Sequence, residues 1–208
     1  WNRYMLLRSN LIENNHIKIL SPYWYHYKLL YKINKNNLIP FPVPVLNYNI
    51  LKINNNPINK ILLSGFISKH YPARKYLKSL NNENVKLLKR TKTQTEYYKV
   101  INNYICTFAC CLNKNTPYII GKFYEIPATG SLLLAYDEFV KEPLKKLGFI
   151  ENVNYISCDL NNIIDKIEWI CNLENRDEIN KIRKAGQELI LNKHTFKQRF
   201  ELIKNLVI

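Results

Sequence analysis

The sequence predicts an α/β fold built on a doubly wound parallel sheet, and three observations indicate it. From Lys60 onward, short apolar runs alternate with stretches of helical pattern. The run KILLSGF is apolar over most of its length and ends at a glycine, which is typical of a strand buried on both faces of a sheet. Repeated strand, helix, strand units require right-handed crossovers, which cover both faces of a parallel sheet. A chain of 208 residues is long enough to bury such a core.

The first 45 residues are predicted to be separate from this sheet. A strand over 17–20 is followed by an aromatic-rich helix around YWYHYKLLY. Pro40, Pro42 and Pro44 then keep the chain extended, because each restricts the residue before it. We interpret residues 1–45 as the end of an N-terminal domain and its hinge, and residues 46–59 as a linker.

The main domain is predicted to span residues 60–192, and residues 193–208 to form a C-terminal helix that packs back toward the N-terminal half. The predicted strands are 60–66, 85–90, 105–111, 131–136 and 153–158. The predicted helices are 71–81 opening near Pro72, 93–104, a short one ending before Gly130, 141–149, 159–172 with Asp159 as N-cap, 176–193 and 195–206.

The net charge of +15 raises nucleic acid as a partner, because basic surfaces neutralise phosphates. The lysines are scattered rather than clustered, and Asn, Lys, Ile and Tyr are over-used together, as the codons of an AT-rich genome favour. We therefore expect no nucleic-acid partner. A basic nucleic-acid binder remains an alternative that rests on charge and on tyrosine-rich segments.

Cysteine usage indicates a reducing compartment. The five cysteines form an odd set without histidine-flanked pairs, so free buried thiols are expected, with no metal site and a cytoplasmic location. The longest apolar run, around 104–112, is too short to span a membrane. The chain starts at Trp1 without a charged and apolar leader, so we expect no signal peptide there and a longer parent protein.

Candidate ligand-binding residues follow the first strand of the main sheet, since parallel sheets bind ligands beyond the carboxyl ends of their strands. Ser64 and Gly65 form a small-residue turn that would let backbone N–H groups approach a phosphate, or a turn without a ligand. A polar and cationic cluster comes next and either meets an anion or forms a solvated loop. It consists of Lys69, His70, Tyr71 and Arg74.

The segment GKFYEIPATGSLLLAY places a carboxylate among apolar neighbours. Glu125 either accepts hydrogen bonds from both hydroxyls of a ribose or is an acid favoured by the helix dipole. Pro127 interrupts the helical pattern, and Gly130 is expected to end the helix in a left-handed conformation. We interpret the helix as short and bent because its N-terminal end faces a ligand.

Four segments, GFISKHYPARKYL, GKFYEIPATGSLLL, EPLKKLGFIENVNYISC and HTFKQRFELI, resemble in order and spacing the C-terminal domain of GT-B glycosyltransferases, which have two Rossmann-like domains. The resemblance covers about residues 58–206 and is strongest to the spore-maturation-protein-like, group 1 branch. It implies a Rossmann-like sheet that binds a nucleotide-diphosphate sugar and a metal-independent transfer of a hexosyl group to an acceptor, without a further cofactor.

The resemblance also implies roles for particular residues. Glu125 matches the ribose-binding glutamate of the family, and the phosphate-binding candidates are Gly65, Lys69, Arg74 and Lys122. Other donor-site candidates are Ser64, His70, Tyr71, Pro127 and Gly130. The terminal motif is matched by His194, Thr195 and Arg199, which we expect to be structural.

Two positions depart from the family pattern. Many retaining members carry a second glutamate eight residues before the ribose-binding one, where this chain has Pro117. The arginine that often follows the glycine of the first strand is Phe66 here. A catalytically degenerate domain that binds a nucleotide or a protein is therefore the alternative to an active transferase, and no catalytic base is assigned.

Overall fold

A computed structural model describes residues 19–21, 38–42, 44–45, 50–88, 91–111, 114 and 117–207. Two short parallel strands, β1 (Ile19–Ser21) and β2 (Leu38–Pro40), pair near the start of the chain. The predicted aromatic-rich helix lies outside the described residues. The remaining strands form one larger sheet, which is the predicted α/β core.

The larger sheet is parallel throughout. Its strands are β3 (Ile58–Leu63), β4 (Val85–Leu87), β5 (Tyr104–Cys110), β6 (Leu132–Tyr136) and β7 (Ile156–Cys158). Their spatial order is β4-β3-β5-β6-β7. The predicted doubly wound, Rossmann-like sheet is thus confirmed. The chain moves outward from β3 to β4, then crosses to the other side of β3 and builds the rest of the sheet there, so the order reverses between β3 and β5.

Helices connect these strands and complete the C-terminal part. They are α1 (Pro72–Ser79), α2 (Gln94–Asn102), α3 (Lys122–Ala128), α4 (Lys141–Lys146), α5 (Ile163–Cys171), α6 (Arg176–Lys193) and α7 (Phe196–Val207). Pro72 occupies the first turn of α1, as predicted, where a missing N–H leaves no bond unmade. Helices α1 and α5 cover one face of the sheet, whereas α2, α3 and α4 cover the other.

Alternate residues of β3 lie in two different apolar layers. In β3, Ile61 and Leu63 pack with α1 and α5, whereas Leu62 between them packs with α2 and α3. All three are fully buried. A strand that is apolar on both faces can be stable only between two helical layers, which explains why KILLSGF lacks the alternation of a half-exposed strand.

The start of α5 differs from the prediction. Asp159 was expected to cap the helix, but the helix begins three residues later, with Asn162 in the N-cap position. The Asp159 carboxylate instead accepts hydrogen bonds from the backbone N–H groups of Asn161 and Asn162. A turn thus competes with the helix for these donors, as short acidic side chains commonly allow.

The C-terminal motif joins the last helix to the proline-rich segment. Arg199 donates from Nε to the carbonyl of Pro42 (2.8 Å) and from Nη2 to His194 Nδ1 (2.7 Å). Val45 donates its N–H to the carbonyl of His194 (2.8 Å), and a parallel bridge pairs Val45 with Thr195. We call this set of five residues the hinge clamp. These contacts join the two segments, and the structural role of the three motif residues stays a prediction.

The cysteines lie where the composition indicated. All five are free, four of them are buried, and Cys171 is half-buried. No group of three or more histidine, cysteine or acidic side chains that could hold a metal occurs among the described residues. Within the same ranges, no helix combines the length and the hydrophobicity needed to cross a bilayer.

Candidate functional site

The candidate site lies at the carboxyl ends of β3 and β5, where the strand order reverses. Loops that leave adjacent strands in opposite directions separate there and open a crevice, which is the usual ligand site of open α/β sheets. The turn after β3 supplies Ser64 and Gly65, α1 supplies Arg74, and α3 supplies Lys122 and Glu125. The structure thus brings together five of the predicted site residues.

The turn after β3 binds an ammonium group. Lys122 Nζ donates to the carbonyl of Ser64 (2.6 Å) and to its Oγ (2.9 Å). Gly65 has φ +96°, and a Cβ at this position would lie 2.5 Å from Lys122 Nζ and 3.1 Å from Arg74 Nη1. Glycine therefore suits the left-handed backbone, and a side chain here would push the ends of Lys122 and Arg74 aside.

Arg74 forms the second cation of the site. Its guanidinium donates from Nη1 to the carbonyl of Phe66 (3.2 Å) and stacks 4.0 Å from the ring centre of Tyr71. Only 3% of the residue is exposed, yet Nε has no hydrogen-bond partner within the described part of the chain. A buried guanidinium is costly unless its charge is compensated, so an anion near its Nη groups would stabilise it.

The electrostatics of Lys122 are unusual. Burial of the ammonium, followed by repulsion from Arg74, lowers its pKa to about 7, although the negative charge of Glu125 acts in the opposite direction. Its two hydrogen-bond acceptors on Ser64 are neutral. A bound anion would stabilise the charged form of Lys122, since opposite charges nearby favour ionisation.

Glu125 lies one turn along α3 from Lys122, with its side chain half-buried. Burial raises the pKa of its carboxyl, while a hydrogen bond from the Tyr98 hydroxyl (3.2 Å to Oε1) and the charge of Lys122 lower it. The carboxylate folds back over the first turn of the helix. Its Oε1 lies so close to Gly121 that a Cβ added there would be 3.2 Å from it. The acid therefore sits above the N-terminal end of α3.

Sequence reasoning missed two tyrosines of helix α2. The hydroxyl of Tyr97 lies 3.2 Å from Ser64 Oγ, and the ring centre lies 5.8 Å from Lys122 Nζ. The hydroxyl of Tyr98 contacts Glu125. The helical pattern of TQTEYYKVINNY could predict which side faces the sheet, but it carried no signal for contacts with a turn 33 residues earlier or an acid 27 residues later.

The other predicted site residues have different surroundings. Lys69 and His70 are exposed, and the backbone N–H of His70 is turned back onto Ser68 Oγ. Pro127 is buried inside α3, facing the position of Gly186 on α6. Gly130 has φ +78°, as predicted for the helix stop, and its carbonyl accepts from Arg183 Nε (2.8 Å). Pro127 and Gly130 thus pack α3 against neighbouring elements.

The arrangement places two cations beside one another and a carboxylate one helical turn away. Cations of this kind bind phosphate oxygens. An ionised carboxylate can accept hydrogen bonds from two neighbouring hydroxyl groups. The site therefore has complementary groups for the diphosphate and the sugar of a nucleotide.

Comparisons with known proteins agree with this fold. Residues 56–205 match the model of a protein family described as glycosyl transferase-like. No curated protein matches the chain at a significant level.

Among solved structures, the chain is similar to a glycosyltransferase from Rickettsia africae ESF-5, with a TM-score of 0.63 and 11% identity over 92% of this chain and 63% of the other. It is also similar to a sucrose-phosphate synthase from Thermosynechococcus elongatus, with a TM-score of 0.66 and 13% identity over 99% of this chain and 61% of the other. A structure of TarM from S. aureus, in complex with fondaparinux, alpha-GlcNAc-glycerol and UDP, has a TM-score of 0.66 and 14% identity over 99% of this chain and 46% of the other. The chain thus covers less than two thirds of each of these proteins.

Proposed function

Because this chain belongs to the glycosyl transferase-like family, with the fold of the C-terminal domain of GT-B glycosyltransferases, we propose that it binds the nucleotide diphosphate of a sugar donor. The whole enzyme would then transfer a hexosyl group from that donor to an acceptor. One observation carries the proposal: the Lys122 and Arg74 cations meet at the turn after β3, with Glu125 one helical turn from them. These three side chains lie where the strand order reverses between β3 and β5, which is the place where open α/β sheets bind nucleotides.

The proposed roles follow from the chemistry of each group. Arg74 and Lys122 bind the diphosphate oxygens. Glu125 accepts hydrogen bonds from the ribose hydroxyls. During transfer the bond between the anomeric carbon and the diphosphate breaks, the acceptor oxygen bonds to that carbon, and the proton of the acceptor hydroxyl passes to the released diphosphate or to water. The two protein cations then stabilise the charge that develops on the leaving diphosphate, which is why we propose a metal-independent reaction.

A second candidate is a domain that binds a nucleotide without catalysis. Phe66 lies at the turn where many family members have an arginine, and its apolar side chain supplies no charge to the site. The residue is 73% exposed. The position of the other acid is occupied by Pro117, which is buried. Both proposals share the nucleotide site and differ in turnover. Five free cysteines agree with a reducing, cytoplasmic location for either.

Nucleotide binding is tested by titrating UDP, GDP and ADP into the protein in a calorimeter. We expect one of them to bind below the millimolar range. Glu125→Ala should weaken its binding by about 1–3 kcal/mol, because a charged hydrogen-bond partner is lost. Glu188→Ala, which removes an exposed acid on α6, is the matched control and should bind like wild type.

Two results would contradict this account. If none of the three nucleotides binds, both candidate functions are refuted. An unchanged affinity in Glu125→Ala would refute the assignment of Glu125 to the ribose. Hydrolysis or transfer of a sugar donor by the longer protein then separates the transferase from the binding domain.

A further inference from the structure

We propose that Tyr98 is a positioning residue for the donor: its hydroxyl, oriented by Gln94, fixes the Glu125 carboxylate so that Oε2 remains free for the ribose. The inference rests on the proposed function of Glu125. It adds a residue on a different helix, α2, that acts only through the acid.

Gln94, Tyr98 and Glu125 form a chain of two hydrogen bonds, which we call the relay. The donor and acceptor properties of the three groups determine the direction of each bond. Gln94 Nε2 lies 2.6 Å from the Tyr98 hydroxyl, which lies 3.2 Å from Glu125 Oε1. An ionised carboxylate only accepts, so the hydroxyl hydrogen must point to Glu125. The oxygen of Tyr98 then needs a donor, which the amide group of Gln94 supplies. The relay therefore runs in one direction, from Gln94 through Tyr98 to Glu125.

Packing limits the freedom of both members of the contact. Tyr98 is 2% exposed and belongs to the apolar layer beneath α2 and α3. Its ring centre lies 5.7 Å from that of Tyr97. The carboxylate also lies close to Gly121, where an added Cβ would approach Oε1 to 3.2 Å. Glu125 is therefore confined between α2 and the first turn of α3 before any ligand arrives, which reduces the ordering cost of binding.

The hydrogen bond also favours the charged carboxylate. Burial alone would promote protonation of Glu125, and the Tyr98 hydroxyl opposes this effect. A protonated carboxyl would use one oxygen as a donor and could accept less from the ribose. Tyr98 thus holds the Glu125 carboxylate in one orientation and favours its ionised form.

The test compares UDP with 2′,3′-dideoxy-UDP, which lacks both ribose hydroxyls, and with inorganic pyrophosphate. Two variants interrupt the relay differently. Tyr98→Phe removes the hydroxyl and keeps the ring. Gln94→Glu, at an exposed position, offers a carboxylate that takes the Tyr98 hydrogen away from Glu125. Tyr104→Phe, at the opposite end of β5, is the matched control. All are made in the full chain.

We expect the affinity ratio of UDP to dideoxy-UDP to fall about three- to tenfold in Tyr98→Phe and Gln94→Glu, the range for one hydrogen bond. Pyrophosphate affinity should stay at the wild-type value, and Tyr104→Phe should match wild type throughout. A structural role alone would not change this ratio selectively. Unchanged ratios in both variants would overturn the inference, and Gln94→Glu decides the matter if Tyr98→Phe does not fold. A wild-type protein that binds no nucleoside diphosphate refutes the proposed function itself, which is a distinguishable result.

Discussion

At the scale of single residues, the site depends on Gly65, which has no side chain to hinder the approach of two cationic groups. Gly65 combines a left-handed backbone with the approach of Lys122 Nζ to a distance that a Cβ would prevent. The sequence indicated a turn suited to phosphate at this point. The structure adds that a lysine from α3 already occupies the space above the glycine. An anion would therefore meet the ammonium and the Arg74 guanidinium rather than the bare turn.

Lys122 gives the site a predictable pH dependence. Its pKa of about 7 means that the ammonium is present below pH 7 and is lost above it. Arg74, Glu125 and Cys110 are the charged or titratable groups that act on it. We expect pyrophosphate affinity to fall from pH 7 to pH 9, because Lys122 loses its proton over this range while pyrophosphate becomes no less negative.

The measurement is a set of calorimetric titrations across that pH range. Lys122→Met should bind weakly at pH 7 and vary less with pH. Lys145→Met, which removes an exposed cation on α4, should reproduce the wild-type profile. A wild-type affinity that stays constant up to pH 9 would contradict the role of Lys122.

At the scale of elements, most of the sheet and its helices could be predicted from the sequence, because their patterns are local. The apolar run of β3, Pro72 in the first turn of α1 and the glycine after α3 each act within a few residues. The Asp159 cap could not be predicted, since a turn competed for the same backbone donors. The contact of Tyr98 with Glu125 joins two helices, and no local pattern encodes it.

The packing of α6 on the segment before β7 depends on another glycine, which also faces α3. A Cβ at Gly186 would lie 2.7 Å from the carbonyl oxygen of Asn154 and 3.5 Å from Pro127 Cβ. Gly186→Ala should therefore destabilise the protein by about 1–3 kcal/mol, since the clash with rigid backbone outweighs the higher helix propensity of alanine.

Urea unfolding followed by circular dichroism measures this change. Lys184→Ala, at an exposed position of the same helix, should change the free energy of unfolding by less than about 0.5 kcal/mol. Equal stability of Gly186→Ala and wild type would show that α6 can move away from the Asn154 carbonyl without cost.

At the scale of the whole molecule, the hinge clamp connects the proline-rich segment at 42–45 with the start of α7. His194 is the centre of the clamp: Nε2 donates to the carbonyl of Leu147 (2.8 Å), and Nδ1 accepts from Arg199. The ring must therefore be neutral. Burial, together with the charges of Arg199 and Lys193, lowers its pKa to about 4, although the bond to Leu147 acts in the opposite direction.

This neutral histidine makes stability depend on acidification. In the unfolded chain a histidine titrates near pH 6.5, so between about pH 6.5 and 4 the unfolded state binds more protons than the folded state. The stabilisation is complete above pH 6.5 and is lost as the pH falls toward 4. We expect the free energy of unfolding to decrease by up to about 3 kcal/mol over this range from His194 alone.

The pH series of urea unfolding is compared between wild type and His194→Asn. The variant should be less stable at pH 7 and should lose less stability on acidification, because the titrating ring is gone. His70→Asn, at an exposed histidine, should retain the wild-type slope. Parallel curves for wild type and His194→Asn would exclude the clamp as an acid-sensitive element.

The clamp also sets an order of events during synthesis. Pro42 is translated 157 residues before Arg199, which binds its carbonyl. At about 5–20 residues per second, the ribosome needs roughly 8–30 s to add the missing partner. The parallel sheet has all its strands by Cys158, so it can form first, while the proline-rich segment waits. A messenger cut short before the codon for Arg199 would therefore yield a complete sheet whose clamp keeps the contacts of Val45 but lacks those of the arginine with Pro42 and His194.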